Sequence, residues 1–144
     1  MKKWLKASLS ILVLTIVTSC SKDDDKVAEP SIVGKWEFSK EVTYDELNQE
    51  VLEDYTHRCE SKKDFMQFDA NGTMNDSYSS SNCQAETGMY TYVIENDMVK
   101  FYNGNTLAPY SLKILSLTNS QAKVQWVRNA TARAGTDTYI LIRK

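Results

Sequence analysis

The sequence predicts an all-β chain, an antiparallel up-and-down meander of about eight strands closed into a barrel. Three observations carry that prediction. Apolar residues recur at every second position in short runs, the period of a strand with one buried face. Turn-forming residues punctuate the chain about every ten positions. After the first twenty residues no stretch carries a convincing helical period.

The first run is Trp36, Phe38, Lys40, Val42 and Tyr44, alternating with Glu37, Ser39, Glu41 and Thr43. A polar interruption follows from Asp45 to Glu50, and Val51 to Thr56 then reads equally as a second strand or a short helix. The pattern over residues 45–58 does not choose between them. Phe65 to Phe68 runs into Asp69-Ala70-Asn71-Gly72, where Asn-Gly supplies the positive φ of a hairpin turn. Thr73 to Tyr78 leads away, and Ser79 to Gln84 is a polar loop. Met89 to Glu95 alternates again with Tyr90, Tyr92 and Ile94 on one side. Asn96-Asp97 turns the chain into Met98 to Tyr102, and Asn103-Gly104-Asn105 turns it once more. In Tyr110 to Leu117 the apolar parity changes between Ile114 and Leu115, which marks a β-bulge or a stretch buried on both faces. Asn119-Ser120 precedes Ala122, Val124 and Trp126, which alternate with Lys123 and Gln125. A loop through Gly135 leads to the last strand, Thr138 to Ile142.

The N-terminus differs in kind from everything after it. Lys2, Lys3 and Lys6 precede an apolar stretch from Leu9 to Val17, the charged and apolar regions of an export signal and too short to span a bilayer. Val17-Thr18-Ser19-Cys20 resembles the lipobox of bacterial lipoproteins, which implies removal of residues 1–19 and acylation of Cys20, for instance with palmitate. Residues 20–30 then form the lipidated cysteine and a disordered tether, because Ser21-Lys22-Asp23-Asp24-Asp25-Lys26 offers nothing to bury. That acidic run also resembles the signal that sends some lipoproteins to the outer face of the outer membrane; its plainer reading is a spacer. Residues 31–144 are one domain, long enough to bury a core unaided.

Removing 19 residues from 144 leaves 125, with 14 basic and 19 acidic side chains, a formal charge of −5. A mildly acidic domain with no basic stripe has no electrostatic reason to bind nucleic acid. With Cys20 taken by the anchor, Cys59 and Cys83 remain as an even pair in an oxidising compartment, the setting where a disulfide is expected; two buried free thiols are the alternative. A zinc site is not expected, since His57 is the only histidine and no Cys-x-x-Cys spacing occurs.

Gly34-Lys35-Trp36 at the start of the first strand resembles the Gly-x-Trp signature of lipocalins. More closely, residues 32–144 resemble the lipocalin-like domains of small exported bacterial lipoproteins, through that opening, the Cys59-to-Cys83 block around Phe68-Asp69-Ala70-Asn71-Gly72-Thr73, and the closing Tyr139-Ile140-Leu141-Ile142-Arg143. The resemblance implies barrel-closing roles for three residues. Gly34 lets the chain pass close under the barrel end, Trp36 plugs that end, and Arg143 lies over the indole. The chain departs from lipocalins in having a single strand after Thr136-Asp137 and no helix after it.

The chemistry of catalysis is thin. His57 lies in a polar stretch beside Arg58 and reads as a solvated loop residue, with no nucleophile elbow to serve. The carboxylates of Asp45, Glu46, Glu50, Glu53 and Asp54 lack the spacing of a calcium loop and read as a solvated face. Neither an enzymatic activity nor a cofactor nor a metal is expected. Tyr90, Tyr92, Tyr110 and Trp126 are amphipathic rings that suit the wall of a ligand cavity, and suit an ordinary β-sheet core as well. An eight-stranded barrel either holds one small ligand or fills its interior with side chains. The leading expectation is a protein of the bacterial outer membrane, held through its lipid and binding a small apolar molecule. The alternative is a non-enzymatic interaction or inhibitory module working through its surface.

Overall fold

The computed structural model describes residues 29–128 and 137–144. The export segment, Cys20, most of the tether and the loop through Gly135 lie outside those residues. Nine strands follow in order: β1 (Gly34–Tyr44), β2 (Glu50–Asp54), β3 (Phe65–Phe68), β4 (Thr73–Ser79), β5 (Ala85–Glu95), β6 (Met98–Asn103), β7 (Thr106–Leu117), β8 (Gln121–Arg128) and β9 (Thr138–Arg143). The described residues contain no helix. Every pairing is antiparallel, β1 lies between β2 and β3, each strand from β4 to β9 lies beside its predecessor, and β9 returns to pair with β1. The sheet is a closed barrel.

Nine strands fill eight positions. Along the edge of β1 opposite β9, Gly34 to Glu37 pair with β3 and Lys40 to Tyr44 pair with β2. Thus β2 and β3 are two pieces of one barrel strand, separated by an excursion of residues 55–64. Backbone bonds from Phe38 N–H to the Asp64 carbonyl (3.3 Å) and from Tyr55 N–H to the Ser39 carbonyl (3.0 Å) stitch both ends of the excursion to β1. The stretch left open as strand or helix is therefore strand up to Asp54. All five residues of β2 are exposed, so its backbone conformation is imposed by pairing with β1 and not by an apolar face.

Glu50 meets Lys123 of β8 at 2.6 Å, which draws the β1–β2 hairpin across the outside of β9, where Val42, Thr138 and Ile140 are buried. Three register shifts, between Phe38 and Lys40, Lys100 and Tyr102, and Ile114 and Ser116, bend the sheet enough to close it. The last of these is the parity change visible in the sequence. Asn96 and Gly104 turn with positive φ (58° and 60°). In the β3–β4 turn only Gly72 does so (84°), and Asn71 instead accepts the Thr73 amide through its side chain.

One end of the barrel is sealed. Trp36 has no exposed surface and packs with Met66, Phe68, Val99, Leu112, Val124 and Leu141. Its indole N–H donates to the Ile32 carbonyl at 2.6 Å. The Arg143 guanidinium lies 4.3 Å from the centre of the indole, donates through Nη1 to the Val33 carbonyl at 2.6 Å, and donates through Nη2 to the Ser31 carbonyl. Gly34 makes the approach feasible. Its φ is +134°, and a Cβ there would lie 2.6 Å from Arg143 Nη1.

Cys59 and Cys83 form a disulfide across a sequence separation of 24, pinning the excursion to the β4–β5 loop. Inside the excursion Asp64 is buried, accepting from the Ser79 amide (2.8 Å) and the Tyr55 hydroxyl (3.0 Å). His57, read from sequence as solvated, is corrected here: its side chain is only 9% exposed and Nδ1 accepts the Asp64 amide at 3.0 Å. Closing the covalent loop confines the unfolded chain, so replacing both cysteines with serine is expected to cost about 3–4 kcal/mol in urea unfolding, with the barrel retained by circular dichroism.

Candidate functional site: an aromatic cavity

Opposite the Trp36 seal the barrel opens into a cavity of about 440 Å³. Period two along each strand decides which side chains reach it. Two aromatic walls face each other. Phe38 forms the centre of the first, with Tyr55 stacked on it at 4.9 Å, Tyr139 edge-on at 5.3 Å and Tyr78 tilted at 5.8 Å. Phe101 and Trp126 form the second (5.8 Å), joined by Tyr90 at 6.3 Å from Phe101 and Tyr110 at 6.4 Å from Trp126. Met74, Ala108 and Pro109 add apolar surface, and Asp76, Asp137 and Arg128 are the charged residues in the lining. Arg128 lies 5.6 Å over the Tyr110 ring.

Of the four rings proposed from sequence as ligand contacts, Tyr90, Tyr110 and Trp126 line this cavity. Tyr92 does not. Its hydroxyl donates to the Asp69 carbonyl at 2.9 Å and its ring stands edge-on to Phe68, beside the β3–β4 turn. Tyr90 and Tyr92 share a face of β5, but two residues advance a strand by roughly 7 Å, enough to move the second ring out of the cavity.

Residues not singled out from sequence complete the site. Phe38, Tyr55 and Tyr139 come together only because β9 closes on β1 and the excursion lays Tyr55 across Phe38. Asp76 did leave a signal: it occupies the inward parity between Met74 and Tyr78 on β4. Its Oδ1 accepts the Gly88 amide of β5 at 2.7 Å, from the residue paired with it in register.

The electrostatics follow from burial. Desolvation holds the Asp76 carboxyl above the usual carboxylate range, partly offset by its backbone hydrogen bonds. Burial raises the Tyr78 hydroxyl well above the ordinary tyrosine value, with Asp76 adding to it. Burial likewise raises Tyr55, helped by Asp64, and pushes Tyr139 up to about 12, helped by Asp137. The tyrosines are therefore neutral donors at physiological pH, and Asp76 is the acid whose charge the cavity disfavours. The arrangement can hold a ligand by apolar contact and orient it through a few polar points.

With this geometry stands a family assignment. The lipocalin-like domain family matches residues 32–123, more than half of the chain, and the chain belongs to that family. A lipocalin-like protein from Bacteroides uniformis is similar in structure, with 12% identity and a TM-score of 0.49 over 78% of this chain and 97% of that one. A protein from Bacteroides eggerthii is similar at 14% identity and a TM-score of 0.48, over 79% of this chain and 100% of that one. A triple mutant of bovine odorant binding protein gives 14% identity and a TM-score of 0.43, over 77% and 72% respectively. No curated protein matches the sequence.

A carboxyl whose folded-state pKa is raised costs stability when ionised and nothing when both folded and unfolded forms are protonated. Asp76→Asn keeps an acceptor for the Gly88 amide and removes the charge. The variant is expected to melt above wild type near pH 7, with the gain shrinking to nothing as the pH falls below the ordinary aspartate value of about 3.9. Thermal unfolding across that pH range measures it.

Proposed function

We propose that the chain is a lipid-anchored envelope protein whose barrel binds one small, largely apolar molecule and catalyses no reaction. The observation that carries this is the aromatic cavity at the open end of a barrel whose other end is sealed by Trp36. Its volume, about 440 Å³, falls within the roughly 300–1,000 Å³ of small-molecule sites. The absence of a catalytic role for His57 is supported by its engagement with the Asp64 amide inside the excursion. Anchoring through Cys20, with residues 1–19 removed and placement at the outer membrane, rests on Val17-Thr18-Ser19-Cys20 and the acidic run after it. A single acyl chain holds a membrane only marginally, so stable anchoring implies more than one chain on Cys20.

A second reading, an interaction or inhibitory module, draws on a different part of the molecule. The β1–β2 hairpin exposes Tyr44, Leu47 and Leu52, at 56%, 77% and 55%, and the excursion beside it is held by the disulfide. A large exposed apolar patch is a feature of interaction surfaces.

One measurement separates these readings and a second tests the lipid anchor. Native mass spectrometry of protein purified from its own envelope is expected to detect a small molecule that Trp126→Ala fails to retain. Retention of a protein partner by Trp126→Ala, with no small molecule on wild type, would favour the second reading. Labelled palmitate is expected in the wild-type protein and absent from Cys20→Ala, which is expected to leave the membrane fraction.

A further inference from the structure

A cavity built for a purely apolar molecule has no use for a carboxylate in its wall. Asp76 stands at an inward position of β4 where an alternating strand would place another Met or Tyr, and burying its charge is unfavourable. The neighbouring strand is shaped to accept it. At Gly88 a Cβ would lie 2.5 Å from Asp76 Oδ1 and 2.7 Å from Tyr90 Cε2, so any larger residue would displace the carboxylate or the ring. The Gly88 amide then fixes Oδ1 at 2.7 Å.

The carboxylate has acceptor capacity to spare, since an ionised Asp presents about four lone-pair sites. Among the described residues no Lys or Arg pairs with it: the ion pairs there involve Asp54, Asp64, Glu95, Asp97, Glu50 and Glu37. Arg128, the cation of the lining, is exposed and lies over Tyr110 on the opposite wall. Asp76 itself sits between Tyr78, two residues along its own strand, and Tyr90, whose ring crowds the same point beside Gly88. Aromatic rings beside an anionic group match a cation in a partly desolvated site.

We infer that the cavity takes an apolar molecule bearing a cationic amine, its head seated on Asp76 between the Tyr78 and Tyr90 rings and its tail against Phe101 and Trp126. The inference rests on the cavity being a ligand site and adds the chemical class of the ligand. A bound amine supplies Asp76 with a counter-charge that no described Lys or Arg gives it, so the group that costs stability in the free protein becomes the source of selectivity. Anionic amphiphiles such as fatty acids are disfavoured by the same charge.

The test uses the full-length protein and three probes of one chain length, n-decylammonium, n-decanol and n-decanoate, titrated by calorimetry near pH 7 below their micellar concentrations. The amine is expected to bind at least about tenfold more tightly than the alcohol, with decanoate weakest. In D76N the advantage of the amine over the alcohol is expected to vanish. Equal binding of amine and alcohol to wild type overturns the charge inference and leaves the cavity reading standing. An amine advantage that persists in D76N also overturns it. Failure of all three probes to bind removes both readings. The amine-to-alcohol ratio of the wild type decides the matter even where the variant does not fold.

Discussion

The contact on which the barrel depends is the stack of Arg143 on Trp36. It joins the last strand to the first, fills the sealed end with a ring that has no exposed surface, and ties the segment before β1 to the end of the chain through the Val33 and Ser31 carbonyls. Gly34 is the condition for it, because only a residue without Cβ leaves Nη1 its place. A half-buried guanidinium over an indole contributes about 0.5–2 kcal/mol, more as it is desolvated. Its larger consequence is topological. With the β1–β9 seam closed, side chains of inward parity share a single interior, and at the other end there are not enough of them to fill it.

The unfilled space is organised by the excursion that interrupts the meander. Had β2 run straight into β3, the second barrel position would be an ordinary strand. The excursion of residues 55–64 instead swings Tyr55 over Phe38, and is held by the disulfide and by the buried Asp64 with its Ser79 and Tyr55 bonds. The disulfide, remote from the cavity in sequence terms, thereby supports one aromatic wall. Polar atoms inside a barrel are costly unless satisfied. Asp64 is satisfied from several sides, whereas Asp76 retains acceptor capacity in a site open to solvent. That contrast separates a carboxylate that builds the wall from one positioned to meet a ligand.

Much of this was legible in the residues. Alternation located β1, β3, β4, β6, β8 and β9 to within a few positions, because each has one buried face. By contrast, β5 begins at Ala85, ahead of the expected Met89, since its first residues are exposed and held by pairing with β4. The Ile114 to Leu115 parity change located a bulge. β7 begins at Thr106, ahead of the expected Tyr110, since Leu107 and its neighbours are held by pairing with β6 and not by burial. The strand state of β2 was not legible because none of its side chains is buried. His57 was misread because its polar neighbours say nothing of the covalent loop that folds it inward. Parity found Tyr90, Tyr110 and Trp126, but it reports a face and not a height, and so it included Tyr92. Asp76 was readable in principle, as the one carboxylate at an inward position between apolar neighbours.

The barrel stands on the closure of β1 and β9 over a sealed floor. Residue-resolved hydrogen exchange by nuclear magnetic resonance tests it most directly, through the indole N–H of Trp36 and the backbone amides of the β1–β9 seam. The expected result is that the Trp36 indole proton exchanges as slowly as the seam amides, at the rate of global unfolding. Exchange of that proton within minutes, while the strands on the far side of the barrel stay protected, would contradict it.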